Sequence, residues 1–194
     1  FPGMAREQLQ EKEGVFQVYF TGCSGDVTAG KYNDGSSETR QQLANRMREG
    51  METAIAATQY RPAEVPIWRR EPVKLPPKTA PEQMAAKARA TMTRVEAPAS
   101  VRIYDGAMAL AFLARLDTPL ELSSLQIGDA YIVHLPGESM IEYQLFAQRQ
   151  RPDAWVAVAA YGDCGPGYIC TADAFEEGGY EPSASHVGPG SEPI

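Results

Sequence analysis

Histidine is the scarcest of the residues that usually do chemistry: the chain of 194 residues has two, His134 and His186, and neither sits in an H-x-H or H-E-x-x-H pattern. The sequence therefore does not support a zinc site made wholly from this chain. Cysteine is nearly as sparse. Cys23, Cys164 and Cys170 form no C-x-x-C pair and cannot all pair internally, so they define neither a disulfide scaffold nor a thiolate metal site. Free buried thiols are the plainer reading, and a Cys164 to Cys170 bridge is the other. Basic runs are missing too. The formal charge is -7 and no Lys or Arg follows Arg151, which argues against nucleic acid and anionic membrane surfaces as partners. No apolar run approaches the roughly 20 residues that a bilayer-spanning helix needs. The opening "FPGMAREQ" has no initiator methionine, the start expected of a processed, cleaved or excised segment.

What is present is a core and a pattern. Hydrophobic residues make up 43% of the chain, enough for a sizeable core and for a single domain over 1–194. "MAREQLQEKEG" reads as a short helix ending at Gly14, and "VFQVYF" as a strand running into a glycine-rich loop. Behind that loop Ser36 or Ser37 is placed to cap a long helix, in which Leu43, Met47, Met51 and Ile55 recur as one buried stripe. Residues 61–78 form a proline-rich excursion, with room for one edge strand at "VPIWRR". Thr79 and Glu82 have capping-box spacing at the head of an alanine-rich helix reaching Val95, and another helix covers Val101 to Arg115. "LELSSLQI" and "AYIVHL" are two strands joined at Gly128-Asp129. A helix from Ser139 to Arg149, the strand "AWVAVAAYG" and a loop-rich acidic tail follow. This alternation predicts an α/β fold, a layered mixed sheet flanked by helices.

Three strand-end loops share a composition: "TGCSGDVTAG", "LPGES" and "YGDCGPGYICT". In open α/β sheets, sites are built at the carboxyl ends of strands. In the first loop, Gly25 permits a tight turn, Asp26 can accept hydrogen bonds from amides, and Thr28 offers a hydroxyl that needs a base or a metal to take its proton. Asp-x-Thr also stabilises an ordinary turn, the plainer reading. Glu138 follows Pro136-Gly137 at the predicted start of a helix, where the dipole favours a carboxylate; the other reading is a metal ligand aimed by a rigid Pro-Gly corner. Tyr168 and Tyr180 stand beside glycines. Each is either a buried tyrosine with a satisfied hydroxyl or a donor to a metal or a developing oxyanion. His134 reads as a packed strand residue, and His186 as a loop residue near the end.

Taken in order, these motifs resemble those of the neutral/alkaline, non-lysosomal ceramidase family. That family's Gly-Asp-Val-Ser-Pro-Asn signature stands here as "GDVTAG", Gly25 to Gly30, and its "PGE" as Pro136-Gly137-Glu138. Its closing Tyr-x-x-Thr and downstream Tyr-Glu stand as "YICT", Tyr168 to Thr171, and Tyr180-Glu181. The resemblance implies a zinc-dependent α/β amidohydrolase that cleaves the N-acyl bond of a sphingolipid or related lipid. It implies Glu138 and Tyr168 as zinc ligands, Thr28 at the position of the active-site serine, and Tyr180 as the stabiliser of the tetrahedral intermediate, with Gly25 and Asp26 shaping the loop.

Threonine stands where the family has serine, and Ala29-Gly30 where it has Pro-Asn. The family draws its zinc-binding histidines, a catalytic histidine and an arginine from upstream of Gly-Asp-Val, whereas the 24 residues before Gly25 contain no His. The resemblance thus implies the carboxy-terminal portion of a larger catalytic domain. Its partner is the amino-terminal remainder, attached or as a separate chain, and its substrate is a lipid amide. Family members are often exported, so a secreted or periplasmic location is implied. The other reading of the departures is a non-catalytic lipid- or partner-binding α/β domain that has lost the metal site.

Overall fold

The computed structural model describes residues 1–62, 64–162 and 166–192. They fall into two units, one of 1–20 with 28–64 and one of 21–27 with 65–194.

The first unit is helical. Helix α1 (Pro2–Glu13) ends where Gly14 takes φ 65°, a left-handed C-cap that a Cβ would disfavour. Helix α2 (Ser37–Ala57) is capped by Ser36, whose hydroxyl accepts from Thr39 N at 3.1 Å. Leu9, Ala5 and Ala44 are fully buried, and the stripe Leu43, Met47, Met51 and Ile55 lies half-buried beside Ala44. The run 15–20 is not the predicted strand. Its backbone is served by α1 instead, since Gln17 N donates to Gln10 Oε1 and Gln17 O accepts from Arg6 Nη1. Without a pairing strand an alternating run cannot bury one face, and Phe16 and Phe20 are exposed.

The second unit is built on a four-stranded mixed sheet flanked by helices, in the order β1 (Ile67–Val73), β2 (Leu120–Ile127), β3 (Ala130–Pro136), β5 (Trp155–Gly162). Strand β1 is the predicted edge strand, where Pro72 lacks a ladder donor at little consequence. The β2–β3 hairpin turns at Gly128, φ 60°, as its sequence requires. The β3–β5 pair is parallel, with α6 (Ile141–Gln150) in the connection between them. Two short parallel strands that the sequence did not disclose, β4 (Glu138–Ser139) and β6 (Tyr168–Ile169), form a second sheet. Each is two residues long, too short for a period to be read.

Helix α3 (Pro81–Thr93) begins after Ala80 with Pro81 in its first turn, and no side chain caps it. The Thr79–Glu82 capping box is therefore not formed, because the helix starts one residue too late for Thr79 to reach its first amides. The next predicted helix is a composite of α4 (Ala99–Val101), a π-helical stretch Arg102–Met108 and α5 (Ala109–Ala114). Gly106 lies against α3 so closely that a Cβ there would meet Met92 Cγ at 2.5 Å. The acidic tail is less loop-like than predicted, holding α7 (Ala172–Glu177) and α8 (Tyr180–Ala184). Leu75, Ile169 and Val187 form the core cluster beneath β6, with Phe112, Leu120 and Tyr143 packed on it. Fully burying side chains of this kind contributes about 1.5–3 kcal/mol each.

A clasp joins the glycine loop to β4 and α6. Gly25 N donates to Ser139 O at 2.9 Å, and a Cβ at residue 25 would lie 2.8 Å from Glu138 O. Asp26 Oδ1 accepts from Ile141 N at 2.9 Å and so satisfies the first amide of α6 from outside the helix. Alanine at position 25 is expected to lower stability by about 1–3 kcal/mol through overpacking. Gly50→Ala inside α2, where nothing lies within 4 Å of a new Cβ, should raise it by about 0.5–1 kcal/mol. Thermal melts of the two variants would show opposite shifts in Tm, and a Gly25→Ala protein melting at or above wild type would contradict the clasp.

Cys23 and Cys170 are buried thiols, each pushed up to about 11, chiefly by burial. Cys164 and its proposed bridge lie outside the described residues. In a Cys164→Ser background, a thiol reagent should leave both cysteines unlabelled near pH 8, label them on unfolding, and react faster as pH rises towards 11. Stoichiometric labelling of the native protein at pH 8 would refute this.

Candidate active site

Glu138 is aimed by the corner that precedes it. Gly137 has φ 63°, and a Cβ there would sit 2.7 Å from Gly167 O, so only glycine lets the chain turn between β3 and the 166–168 loop. Glu138 N then donates to Gly167 O at 2.7 Å, and Glu138 and Tyr168 become register partners in the β4–β6 pair. The helix-capping reading of Glu138 does not hold. Helix α6 starts at Ile141 with Met140 as its N-cap, and the side-chain acceptor there is Asp26.

Three tyrosines lie near this carboxylate, and a fourth, Tyr180, packs on one of them. Tyr161 donates its hydroxyl to Glu138 Oε1 at 3.2 Å, and Ser24 Oγ lies 2.8 Å from the same phenol oxygen. The rings of Tyr168 and Tyr180 meet edge to face, with centroids 5.9 Å apart and an 80° angle. Tyr104, carried on the π-helical stretch, brings its hydroxyl against Gly167, where a Cβ would approach it to 2.8 Å. Burial, reinforced by the charge of Glu138, pushes the Tyr168 phenol up to about 12. Tyr104 and Tyr161 are raised by burial first as well, with Glu138 adding to both. Burial and the neighbouring charge both favour the protonated phenol, and Tyr161 donates from it to Glu138.

The segment that carries Tyr180 is tied down at its carboxyl end. Ser185 Oγ donates to Tyr168 O at 2.8 Å, linking the end of α8 to β6. Lys78 Nζ donates to Pro182 O and Ser183 O, the last carbonyls of α8, a favourable place for a cation. Lys78 is itself held by its backbone amide on His186 O, and burial lowers its ammonium below the ordinary lysine value. Thr171 of "YICT" caps α7 through Ala174 N.

Both histidines are packing residues, an outcome the strand setting of His134 suggested and the loop setting of His186 did not. His134 lies against Trp68, ring centroids 5.2 Å apart. His186 has Nε2 3.1 Å from Tyr104 O and its ring beside Tyr104 and Phe112; burial lowers its pKa and keeps it neutral. Among the described residues no three His, Cys, Asp or Glu come together to hold a metal. Glu138 and Tyr168 are register partners whose side chains each carry an oxygen. Catalytic zinc takes three protein ligands and an open position, so these two residues by themselves do not complete a zinc shell.

Glu138, Tyr168 and Tyr180 share the second unit and are brought together there. Gly25 and Asp26 belong to the same unit and form the clasp. Thr28 lies in the first unit, exposed, with Oγ1 accepting from Gly30 N at 3.3 Å ahead of a 3-10 turn at Gly30–Tyr32. Tyr161, Ser24 and Tyr104 were not singled out in sequence. The signal for Tyr161 was its place at the mouth of "YGDCGPGYICT"; it also holds φ 64°, the one positive value among described non-glycine residues. Such a backbone costs about 1–3 kcal/mol and persists where its surroundings impose it. The second unit holds two apolar cavities, neither of them lined by Glu138 or the four tyrosines. One of about 250 Å³ is lined by Phe112, Arg115, Pro166 and His186, and one of about 190 Å³ by Leu135, Pro136, Ser139 and Phe146.

No protein-family model matches the chain, and no curated protein matches it. Among solved structures it is similar to the neutral ceramidase from Pseudomonas aeruginosa, with a TM-score of 0.59 over 96% of this chain at 11% sequence identity. The chain spans 37% of the length of that structure. At such low identity the likeness is one of fold: the mixed α/β arrangement of this chain is shared with a part of a neutral ceramidase structure.

Proposed function

We propose that the chain is the portion of a ceramidase-like, zinc-dependent amidohydrolase that carries Glu138, Tyr168, Thr28 and Tyr180, and that it acts on the N-acyl bond of a sphingolipid or related lipid. The observation that supports this most is that Glu138, Tyr168 and Tyr180, from motifs up to 42 residues apart in sequence, are brought together, Tyr168 pairing with Glu138 in register and packing on Tyr180. The fold likeness to a part of a ceramidase structure adds to it, and the apolar cavities of the same unit suit a lipid substrate.

In this reading Glu138 and Tyr168 hold zinc together with histidines from an upstream segment of the protein. Zinc, when bound, supplies Lewis acidity toward the amide carbonyl and lowers the pKa of water. Tyr180, two-thirds exposed, donates its hydroxyl to the oxygen on which charge develops. The half-buried Tyr168 ring packs edge to face beside Tyr180. Thr28 supplies the hydroxyl of the family serine with its torsion restricted by the added methyl. Family members are often exported, and we propose a secreted or periplasmic location on that ground. A binding domain without catalysis is the second reading, favoured by the presence of two oxygen donors where zinc needs three ligands.

The intact protein, including its upstream segment, should bind one zinc, and Glu138→Ala should abolish that binding. Release of fatty acid from N-acylated sphingoid lipids should fall by about 10²–10³-fold in Tyr180→Phe and by a similar factor in Thr28→Ala. Full activity in both hydroxyl variants would refute their roles. Tight lipid binding with neither zinc nor hydrolysis would establish the second reading in place of the first.

A further inference from the structure

We infer that Tyr161, with Ser24 behind it, is the positioning residue that fixes the direction of Glu138, engaging Oε1 so that Oε2 is presented to a ligand. The inference rests on the reading of Glu138 as a ligand-binding carboxylate.

Three features of the backbone converge on this one side chain. The parallel β3–β5 ladder is regular as far as His134 with Ala159 and then resumes at Pro136 with Gly162. Strand β5 thus carries one residue more than β3 across that step, a bulge of the kind that re-aims a side chain next to a site. Tyr161 lies within the bulge and has φ 64°. Its conformation is imposed from both sides, because Tyr161 N donates to Gly137 O at 2.8 Å and Gly137 N donates to Gly162 O at 3.4 Å. The Pro-Gly corner that aims Glu138 and the bulge that aims Tyr161 are therefore one hydrogen-bonded construction.

The hydroxyl chain has a defined polarity. Tyr161 gives its proton to Glu138 Oε1 at 3.2 Å, so the Ser24 hydroxyl, 2.8 Å away, donates to the Tyr161 oxygen. That donation polarises the phenol towards the carboxylate. Ser24 is held in turn: Ala160 N donates to Thr21 O, Cys23 N to Gln144 Oε1 at 3.1 Å, and Gly25 N to Ser139 O. Among the described residues the hydrogen bond from Tyr161 is the one recorded on the Glu138 carboxylate. Outer partners of this kind orient metal-binding carboxylates, and their loss weakens metal affinity by about 10–100-fold.

Tyr161→Phe keeps the ring and the strained backbone and removes only the hydroxyl. In the intact protein it should weaken zinc binding by about 10–100-fold, with Tm unchanged and with a changed visible spectrum of the cobalt-substituted form. Ser24→Ala should act in the same direction to a smaller extent. Crystal structures of the metal-free wild type and Tyr161→Phe supply a readout that needs no metal: the Glu138 carboxylate should hold one orientation in the first and leave it in the second. An unchanged Glu138 orientation in Tyr161→Phe, or an unchanged zinc Kd, would overturn the inference. If wild type binds no zinc, the proposed function falls, and the Glu138 orientation in the two crystal structures still decides the role of Tyr161.

Discussion

The hydrogen bond from Gly25 N to Ser139 O is the contact on which the rest of the site depends. It brings a loop from the start of the second unit onto a two-residue strand more than a hundred positions later. The approach is available to glycine alone, because any Cβ at residue 25 meets the Glu138 carbonyl. From that single close contact follow the placement of Asp26 over the first amide of α6 and the placement of Ser24 beside Tyr161. A glycine-aspartate pair that reads as turn chemistry works here as a clasp between chain segments.

Electrostatically the site is a carboxylate in the company of neutral phenols. Burial and the negative charge of Glu138 both disfavour phenolate, so the two effects add and Tyr168 ends well above ordinary tyrosine. The arrangement suits donation of hydrogen bonds to negative charge, as Tyr161 donates to Glu138. A bound divalent cation would reverse this balance, since its charge favours the phenolate that burial opposes.

Much of the strand pattern was legible in sequence. "LELSSLQI" and "AYIVHL" announce themselves by β-branched and apolar content on either side of Gly128-Asp129, and α2 by its Ser36 cap and four-residue stripe. "VFQVYF" has strand composition but no partner strand, and pairing is a tertiary property that a local pattern does not contain. The Thr79 cap fails by a shift of one residue at Pro81, the scale on which helix ends are routinely misplaced. Glu138, Tyr168 and Tyr180 were legible through motif order. Tyr161 and Ser24 were not, because their roles come from a bulge and from a contact across 137 residues.

The fold likeness to a part of a neutral ceramidase structure concerns the α/β arrangement alone, and the proposed reading of Glu138 as a zinc ligand rests on the motif order and on its pairing with Tyr168. Anomalous diffraction at the zinc edge, on crystals of the intact protein, tests that reading most directly. The account predicts a zinc peak about 2.0–2.2 Å from a Glu138 carboxylate oxygen, with the Tyr168 hydroxyl in the same shell. A protein that hydrolyses N-acyl lipids with no zinc beside Glu138 would contradict it.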